Sequence, residues 1–246
     1  MRDYQKEFQN RVDFIRQILA ESHASGIVFG NSGGKDSALV GILCKAACEN
    51  TVGIIMPCTS KRNFTLDAND ARAVAQQYQI ETRFLDLTSV KERLAEQLMG
   101  VTQLNDTAIT NIAPRLRMTA LYAIAASENR IVAGTGNRSE AYLGYFTKWG
   151  DGAHDFNPIS DLTVTEIFDF LEYLKAPRCI IDKAPSAGLF DGQTDEMEIG
   201  VTYAAVDQYL TTGEANAQDL TVIERYHLRS EHKRKPIATY EGRQKA

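Results

Sequence analysis

Two adjacent glycines, flanked by hydroxyls, a carboxylate and an ammonium, stand in the segment Gly30-Asn31-Ser32-Gly33-Gly34-Lys35-Asp36-Ser37. It follows a short β-rich run, Gly26-Ile27-Val28-Phe29, and precedes a helical stretch from about Asp36 to Cys48. Backbone N–H groups and the helix dipole at such a strand-to-helix junction favour an anion, and phosphate is the obvious candidate. The segment is not a Walker A loop: Phe29 stands where the first Gly is needed, and Asp36 follows Lys35 in place of Ser or Thr. It also departs from the dinucleotide pattern GxGxxG, because Ser32 replaces the second Gly. The plain alternative is a Gly-rich turn whose Ser and Asp cap a helix.

The loop needs elements to hold it. An opening helix is expected from Phe8, Val12, Ile15, Ile18 and Leu19, which recur at helical spacing. Thr51 to Pro57 reads as a second buried strand, Leu66 to Tyr78 as a helix, Thr82 to Leu87 as a third strand and Val90 to Met99 as a helix. The Ala-rich Met118 to Glu128 is expected to be helical, and Arg130 to Gly134 a fourth strand. This alternation predicts an α/β fold: a doubly wound parallel sheet covered by helices on both faces, with C-terminal helices. Thr135 to Asp161 lacks a period and reads as a functional loop. After a helix over Thr165 to Leu174, Ala184 to Glu196 is a second long loop and a candidate lid. Short helices over Tyr203 to Leu210 and Asp219 to Arg229 lead to a basic tail.

Composition bounds the answer. The 246 residues carry 27 Lys and Arg against 32 Asp and Glu, a formal charge of −5, and 43% are hydrophobic, enough for one sizeable core. The acidic balance argues against a protein that grips a nucleic-acid backbone by charge alone. The polar start, Met1 to Glu7, offers no signal-peptide core, and no apolar run approaches the ~20 residues of a spanning helix, so neither nucleic acid nor membrane is an expected partner and a cytoplasmic location is expected. Cys44, Cys48, Cys58 and Cys179 form no CxxC, and the first two read as core residues on one helix face.

The segment Ser32-Gly33-Gly34-Lys35-Asp36-Ser37 resembles the SGGxDS loop of the ATP pyrophosphatases. Gly134-Thr135-Gly136-Asn137-Arg138-Ser139-Glu140, followed by Gly144 to Gly152, is similar to the signature of ammonia-dependent NAD synthetases. Asn111 to Met118, Pro185 to Leu189, Gly192 to Glu196 and Ser230 to Pro236 agree with that family in order, so the resemblance covers nearly the whole chain. It implies one NAD synthetase-like ATP pyrophosphatase domain over residues 1–246, of adenine nucleotide alpha hydrolase-like fold.

The resemblance also implies a chemistry: a ligase that amidates nicotinic acid adenine dinucleotide (deamido-NAD) with ammonia, through an acyl-adenylate, giving NAD, AMP and pyrophosphate. ATP is the co-substrate, and Mg²⁺ is implied between Asp36 and Glu140. By position in the family motifs, Gly30, Asn31, Ser32, Gly33, Gly34, Lys35, Asp36, Ser37, Thr135 and Ser186 bind ATP. Arg115, Lys148, Asp155, His232 and Lys233 bind the dinucleotide, whose phosphates give the cations an electrostatic reason to be there. Asp36 and Asp151 are the catalytic candidates, Asp151 as the group that orients ammonia or takes its proton. The family forms homodimers with the dinucleotide site at the interface, and the chain is too short for the glutaminase domain of glutamine-dependent relatives, so ammonia is the expected nitrogen source.

Three departures stand out. Val164 occupies the position of a Lys that would touch ATP phosphate in the family, Lys35 replaces an apolar residue or Gln, and His154 replaces a small or aliphatic residue near the substrate. Lys35 is expected to supply the missing phosphate contact, with Lys183 as the other candidate. Val164 and His154 keep open amidation of nicotinic acid mononucleotide or another carboxylate. A tRNA-modifying ATP pyrophosphatase is the rival from another class, disfavoured by the absence of paired Cys, and a non-catalytic nucleotide-binding relative is the third reading.

Overall fold

The computed structural model describes residues 2–58, 60, 62–184 and 195–240. Strands β1 (Gly26–Gly30), β2 (Thr51–Ile55), β3 (Glu81–Phe84) and β4 (Arg130–Ala133) form one sheet in the order β3-β2-β1-β4, and every pairing is parallel. Helices connect them: α1 (Tyr4–Ser22) leads into β1, and α2 (Lys35–Ala47) joins β1 to β2. One π-helical turn, Asn63–Asp67, runs into α3 (Ala68–Gln77) before β3. Then α4 (Thr88–Met99), α5 (Asp106–Thr110) and α6 (Ile112–Glu128) precede β4.

Alternation along the strands explains the layers. Ile27 and Phe29 of β1, with Ile131 and Ala133 of β4, belong to a core filled by α1, α2 and the later helix α8 (Val164–Tyr173). Val28 and Val132 point the other way, into a core shared with Val52, Ile54 and the inner face of α6. Successive strand residues face opposite sides, so continuous apolar strands need cover on both. The doubly wound sheet expected from the sequence is therefore present.

The C-terminal part adds α7 (Arg138–Leu143), α9 (Arg178–Ile181), α10 (Asp195–Ile199), α11 (Tyr203–Thr212), α12 (Ala217–Arg229) and α13 (Glu231–Arg234). Leu143, Val164, Ile199, Tyr203, Val206 and Ile223 close a separate small core among them.

Several boundaries differ from the sequence expectation. The regular part of β3 ends at Phe84 rather than Leu87, but Leu85 and Leu87 still donate to Ile55 O (2.9 Å) and Pro57 O (3.0 Å), so the chain stays against β2 without regular pairing. Helix α6 begins at Ile112, not Met118, and carries Pro114 in its first turn, where a missing N–H costs no intrahelical bond. Asn129, at φ 52°, ends α6 and turns the chain into β4. The stretch expected as an irregular loop after β4 contains α7. Past it, Phe156 bridges Ala133 in parallel, giving β4 a one-residue neighbour.

Candidate active site

The strand order reverses direction at β1, with β2 on one side and β4 on the other. In open parallel sheets ligands settle at the carboxyl ends of the strands at such a switch point. The segments leaving β1 and β4 here are Asn31–Gly34, which enters α2, and Gly134–Asn137, which enters α7.

The first segment is built to leave donors facing outward. Gly34 is the N-cap of α2 and supplies no side-chain cap, so the amino end of this helix keeps its N–H groups for another partner. Ser32 Oγ lies 3.0 Å from Ser37 Oγ, Gly34 N donates to Ser32 Oγ (3.3 Å), and Ser37 Oγ donates to Gly34 O (3.0 Å). The buried Asn31 anchors the loop to α3 by donating to Ala71 O (3.1 Å). Gly33 takes a left-handed φ of 73° against the backbone of Asp67. Lys183 fastens the same place: its Nζ lies 2.9 Å from Gly33 O and 2.7 Å from both Asp67 Oδ1 and Asp70 Oδ2.

The second segment delivers Glu140. Asn137, fully buried, caps α7: its side chain accepts from Glu140 N (2.9 Å), and the Glu140 side chain accepts from Asn137 N (3.3 Å). Asn137 Nδ2 also donates to Asp36 Oδ1 (3.0 Å), so one residue joins the carboxylates carried by α2 and α7. Lys35 Nζ stands 2.7 Å from Asp36 Oδ2 and 3.7 Å from Glu140 Oε1, with the Tyr203 ring centroid 5.7 Å away. The buried Tyr203 donates its hydroxyl to the buried Asp195 Oδ2 (3.2 Å), which brings a third carboxylate near the cluster.

The electrostatics follow from burial. Desolvation, reinforced by the negative charge of Asp36, lifts the Glu140 carboxyl well above its ordinary range, against the pull of Lys35. Burial alone would lower the Lys35 pKa, but Asp36 and Glu140 outweigh it and hold the ammonium firmly charged. Among the described residues no group of three or more His, Cys, Asp or Glu is placed to hold a metal. Two carboxylates beside a phosphate loop nevertheless suit magnesium, which takes one or two protein carboxylates and completes its shell with phosphate and water.

A cavity of about 930 Å³ opens over both segments. Its lining includes Gly30, Asn31, Ser32, Gly34, Lys35, Asp36, Ser37, Thr135, Glu140 and Asp151. Asp151 accepts from Thr147 N (3.0 Å), and the surrounding protein raises its carboxyl pKa by desolvation. Lys233 reaches the cavity, but its Nζ is engaged by Gly144 O (2.7 Å) and Phe146 O (2.6 Å). The sequence-predicted residues Arg115, Lys148 and His232 lie outside that lining and join one another instead. Arg115 Nη2 donates to Lys148 O (3.3 Å), and Lys148 Nζ donates to His232 O (2.8 Å). Asp155 lies outside it too, its two oxygens accepting from Tyr122 Oη (3.1 Å) and Val132 N (2.8 Å). Ser186 and most of the candidate lid, residues 185–194, lie outside the described residues.

The structure adds participants that the sequence reading gave no role: Asn137, Asp195, Tyr203 and Arg117, whose guanidinium lines the cavity and donates from Nε to Met56 O (3.0 Å). Asn137 carried a legible signal, since Asn followed three residues later by Glu is a capping-box pattern. The departures also resolve. Val164 is buried in the C-terminal core and faces no phosphate loop. Lys35, expected to reach phosphate, has its ammonium beside the two carboxylates, and Lys183 is bonded to the loop itself.

His154 lies flat against Gly134, where an added Cβ would come 2.3 Å from its Cγ. Gly134→Ala is therefore expected to lower stability by about 1–3 kcal/mol through overpacking. His154→Ala in the same chain should recover most of the loss, as read by thermal or denaturant unfolding. Full cost in the double variant would disprove the contact as the cause.

A parallel sheet with a phosphate-ready helix terminus and a partly buried acid pair at its switch point defines a nucleotide-binding α/β protein. The family model described as NAD synthase matches residues 7–244. The NH(3)-dependent NAD(+) synthetase of Carboxydothermus hydrogenoformans is 44% identical over 236 residues, 95% of this chain and 96% of that protein. The chain belongs to the NAD synthase family. Among solved structures, the NMN synthetase from Francisella tularensis is 37% identical with a TM-score of 0.93, over 98% of this chain and all of that one. The NH3-dependent NAD synthetase from Campylobacter jejuni is 30% identical with a TM-score of 0.79, over the same shares.

Proposed function

We propose that this protein is an ammonia-dependent ligase that converts deamido-NAD to NAD at the expense of ATP. The observation that carries the reading is the joining of Asp36 and Glu140 through Asn137 beside the Gly33-Gly34 loop, in a chain that belongs to this family end to end. A carboxylate is a poor acyl donor because its oxygen does not leave. Attack of the substrate carboxylate on the α-phosphorus of ATP forms a carboxyl–phosphate bond and breaks the bond to pyrophosphate. Ammonia then adds to the activated carbonyl carbon, the bond to AMP breaks, and the nitrogen gives up a proton to Asp151.

Each residue has a physical task in that sequence. Backbone N–H groups at the start of α2 face the charge that builds on the departing pyrophosphate. Magnesium, held by Asp36 and Glu140, would neutralise the phosphates. Lys183 fixes the loop through Gly33. Desolvation of Asp151 raises its affinity for a proton, which suits a group that must accept one from an amine. The cationic group Arg115, Lys148 and His232 is assigned to the dinucleotide phosphates, reached beyond the cavity.

The reading extends to a homodimer and a cytoplasmic location. Helix α4 buries none of its residues, and Val90, Leu94 and Met99 remain exposed on or beside it, surface that a second copy would cover. The thiols of Cys44, Cys48 and Cys179 form no disulfide, which fits a reducing compartment, and among the described residues no helix is long and apolar enough to cross a membrane.

A second reading, amidation of nicotinic acid mononucleotide, is favoured by one observation: the NMN synthetase superposes better than the NAD synthetase from Campylobacter jejuni. Turnover with ATP, ammonia and each acid separately, followed through AMP and pyrophosphate, tests both. Brisk turnover of the dinucleotide is expected. Little turnover of it beside brisk turnover of the mononucleotide would transfer the assignment to the second reading, and no pyrophosphate with either acid would overturn both.

A further inference from the structure

Asp36 and Glu140 each spend one oxygen on Asn137 and turn the other toward a single ammonium. Asp36 Oδ1 accepts from Asn137 Nδ2 (3.0 Å) and Glu140 Oε2 from Asn137 N (3.3 Å). The remaining oxygens, Asp36 Oδ2 and Glu140 Oε1, lie 2.7 Å and 3.7 Å from Lys35 Nζ. Lys35 is only 6% exposed, so this is no passing surface pair. Tyr203 packs its ring over the ammonium and is itself held by Asp195. The oxygens left for a cation thus already have one, enclosed by elements as distant in sequence as α2, α7 and α11.

We propose that Lys35 is a resident counter-cation of this acid pair, which keeps free divalent metal out and admits it only together with nucleotide. The proposal rests on the assignment of Asp36 and Glu140 as magnesium carboxylates. Its physical basis is Coulombic: an ammonium and a divalent ion drawn to the same two oxygens repel each other strongly in a partly buried site. Nucleotide phosphates bring the extra negative charge that lets both cations stay. Lys35 is then a positioning residue, setting the order in which metal and nucleotide enter.

Mn²⁺ binding, followed by the electron paramagnetic resonance of the free ion, reads this directly and needs no turnover. With the intact wild-type chain, binding of Mn²⁺ is expected to be weak alone and tight with a non-cleavable ATP analogue. Lys35→Gln should bind Mn²⁺ alone about tenfold or more tightly than wild type, and Lys35→Arg, which keeps the charge, should behave as wild type. Equal Mn²⁺ affinity of wild type and a folded Lys35→Gln overturns the proposal. So does tight binding of Mn²⁺ by wild type without nucleotide, a measurement that stands even where Lys35→Gln does not fold. Unchanged ternary binding in Glu140→Gln would instead overturn the magnesium assignment and this proposal with it, while leaving turnover of the nicotinate substrates as a separate question.

Discussion

Asp36→Asn should leave a folded protein whose kcat for amide formation is lower by about 100- to 1,000-fold, the range seen when one preorganised charge-stabilising group is lost. The substitution preserves size and the hydrogen bond from Asn137, whose Nδ2 can still donate to the new amide oxygen. What it removes is one of the negative charges at the head of β1. Lys35 loses its nearest partner at 2.7 Å, and magnesium would lose a ligand next to the phosphates. The fold should lose stability as well: a first-turn charge of α2 contributes about 0.3–1 kcal/mol, and removing one partner of a buried ion pair costs up to about 3–5 kcal/mol, with Glu140 at 3.7 Å left to hold the Lys35 ammonium. Steady-state kinetics at saturating ATP and magnesium, beside a thermal melt, makes the check. A kcat within a few-fold of wild type would remove Asp36 from the catalytic machinery.

Gly33→Ala is the second large effect. The left-handed φ of 73° costs a non-glycine residue about 1–3 kcal/mol when the surroundings hold it in place. A methyl group there also has nowhere to go: it would lie 2.1 Å from Asp67 O and 2.9 Å from Asp67 C, both backbone atoms at the end of the π-helical turn. The loop must then retreat from α3, breaking the grip of Lys183 on Gly33 O and of Asn31 on Ala71 O. Those two contacts fix the loop that leads into α2, the segment proposed to hold the phosphates. The KM for ATP is expected to rise about 100-fold or more, because misplacement of about 1 Å at such a site is worth that much. Unfolding should shift modestly by comparison. An unchanged KM would show that the loop is not what holds the nucleotide.

What could be read from the chain follows from how local each feature is. The glycine loop between strand and helix and the succession of four strands along the chain depend on neighbours in sequence, and both were legible; the sheet order β3-β2-β1-β4 was not. Helix α7 was not, because Arg138–Leu143 is too short for a 3.6-residue period to declare itself. Its capping residue Asn137 was the signal available, and even that reveals nothing of the bond to Asp36, 101 residues away. Lys183 illustrates the same limit: its partners Asp67 and Asp70 lie more than a hundred residues upstream, so its hold on the loop exists only in the folded chain. Lys35 is expected from the sequence to reach phosphate in place of the lysine that Val164 displaces. Its place between Asp36 and Glu140 was not legible, because α2 and α7 meet only in the folded chain. The basic residues Arg115, Lys148 and His232, grouped as dinucleotide contacts by family position, lie next to one another in the fold, beside the cavity rather than in its wall.

Asp155 has a consequence of another kind. β4 is an edge strand, and an open edge is a template on which a foreign strand can grow. Here Val132 N is taken by the Asp155 side chain, Gly134 N by Phe156 O, and Val132 O by Asp155 N. One acidic residue and its neighbour therefore seal the strand that carries the chain to the catalytic loop. A second copy therefore finds no open strand to extend at this edge, and strand addition is left only to β3 at the far end of the sheet.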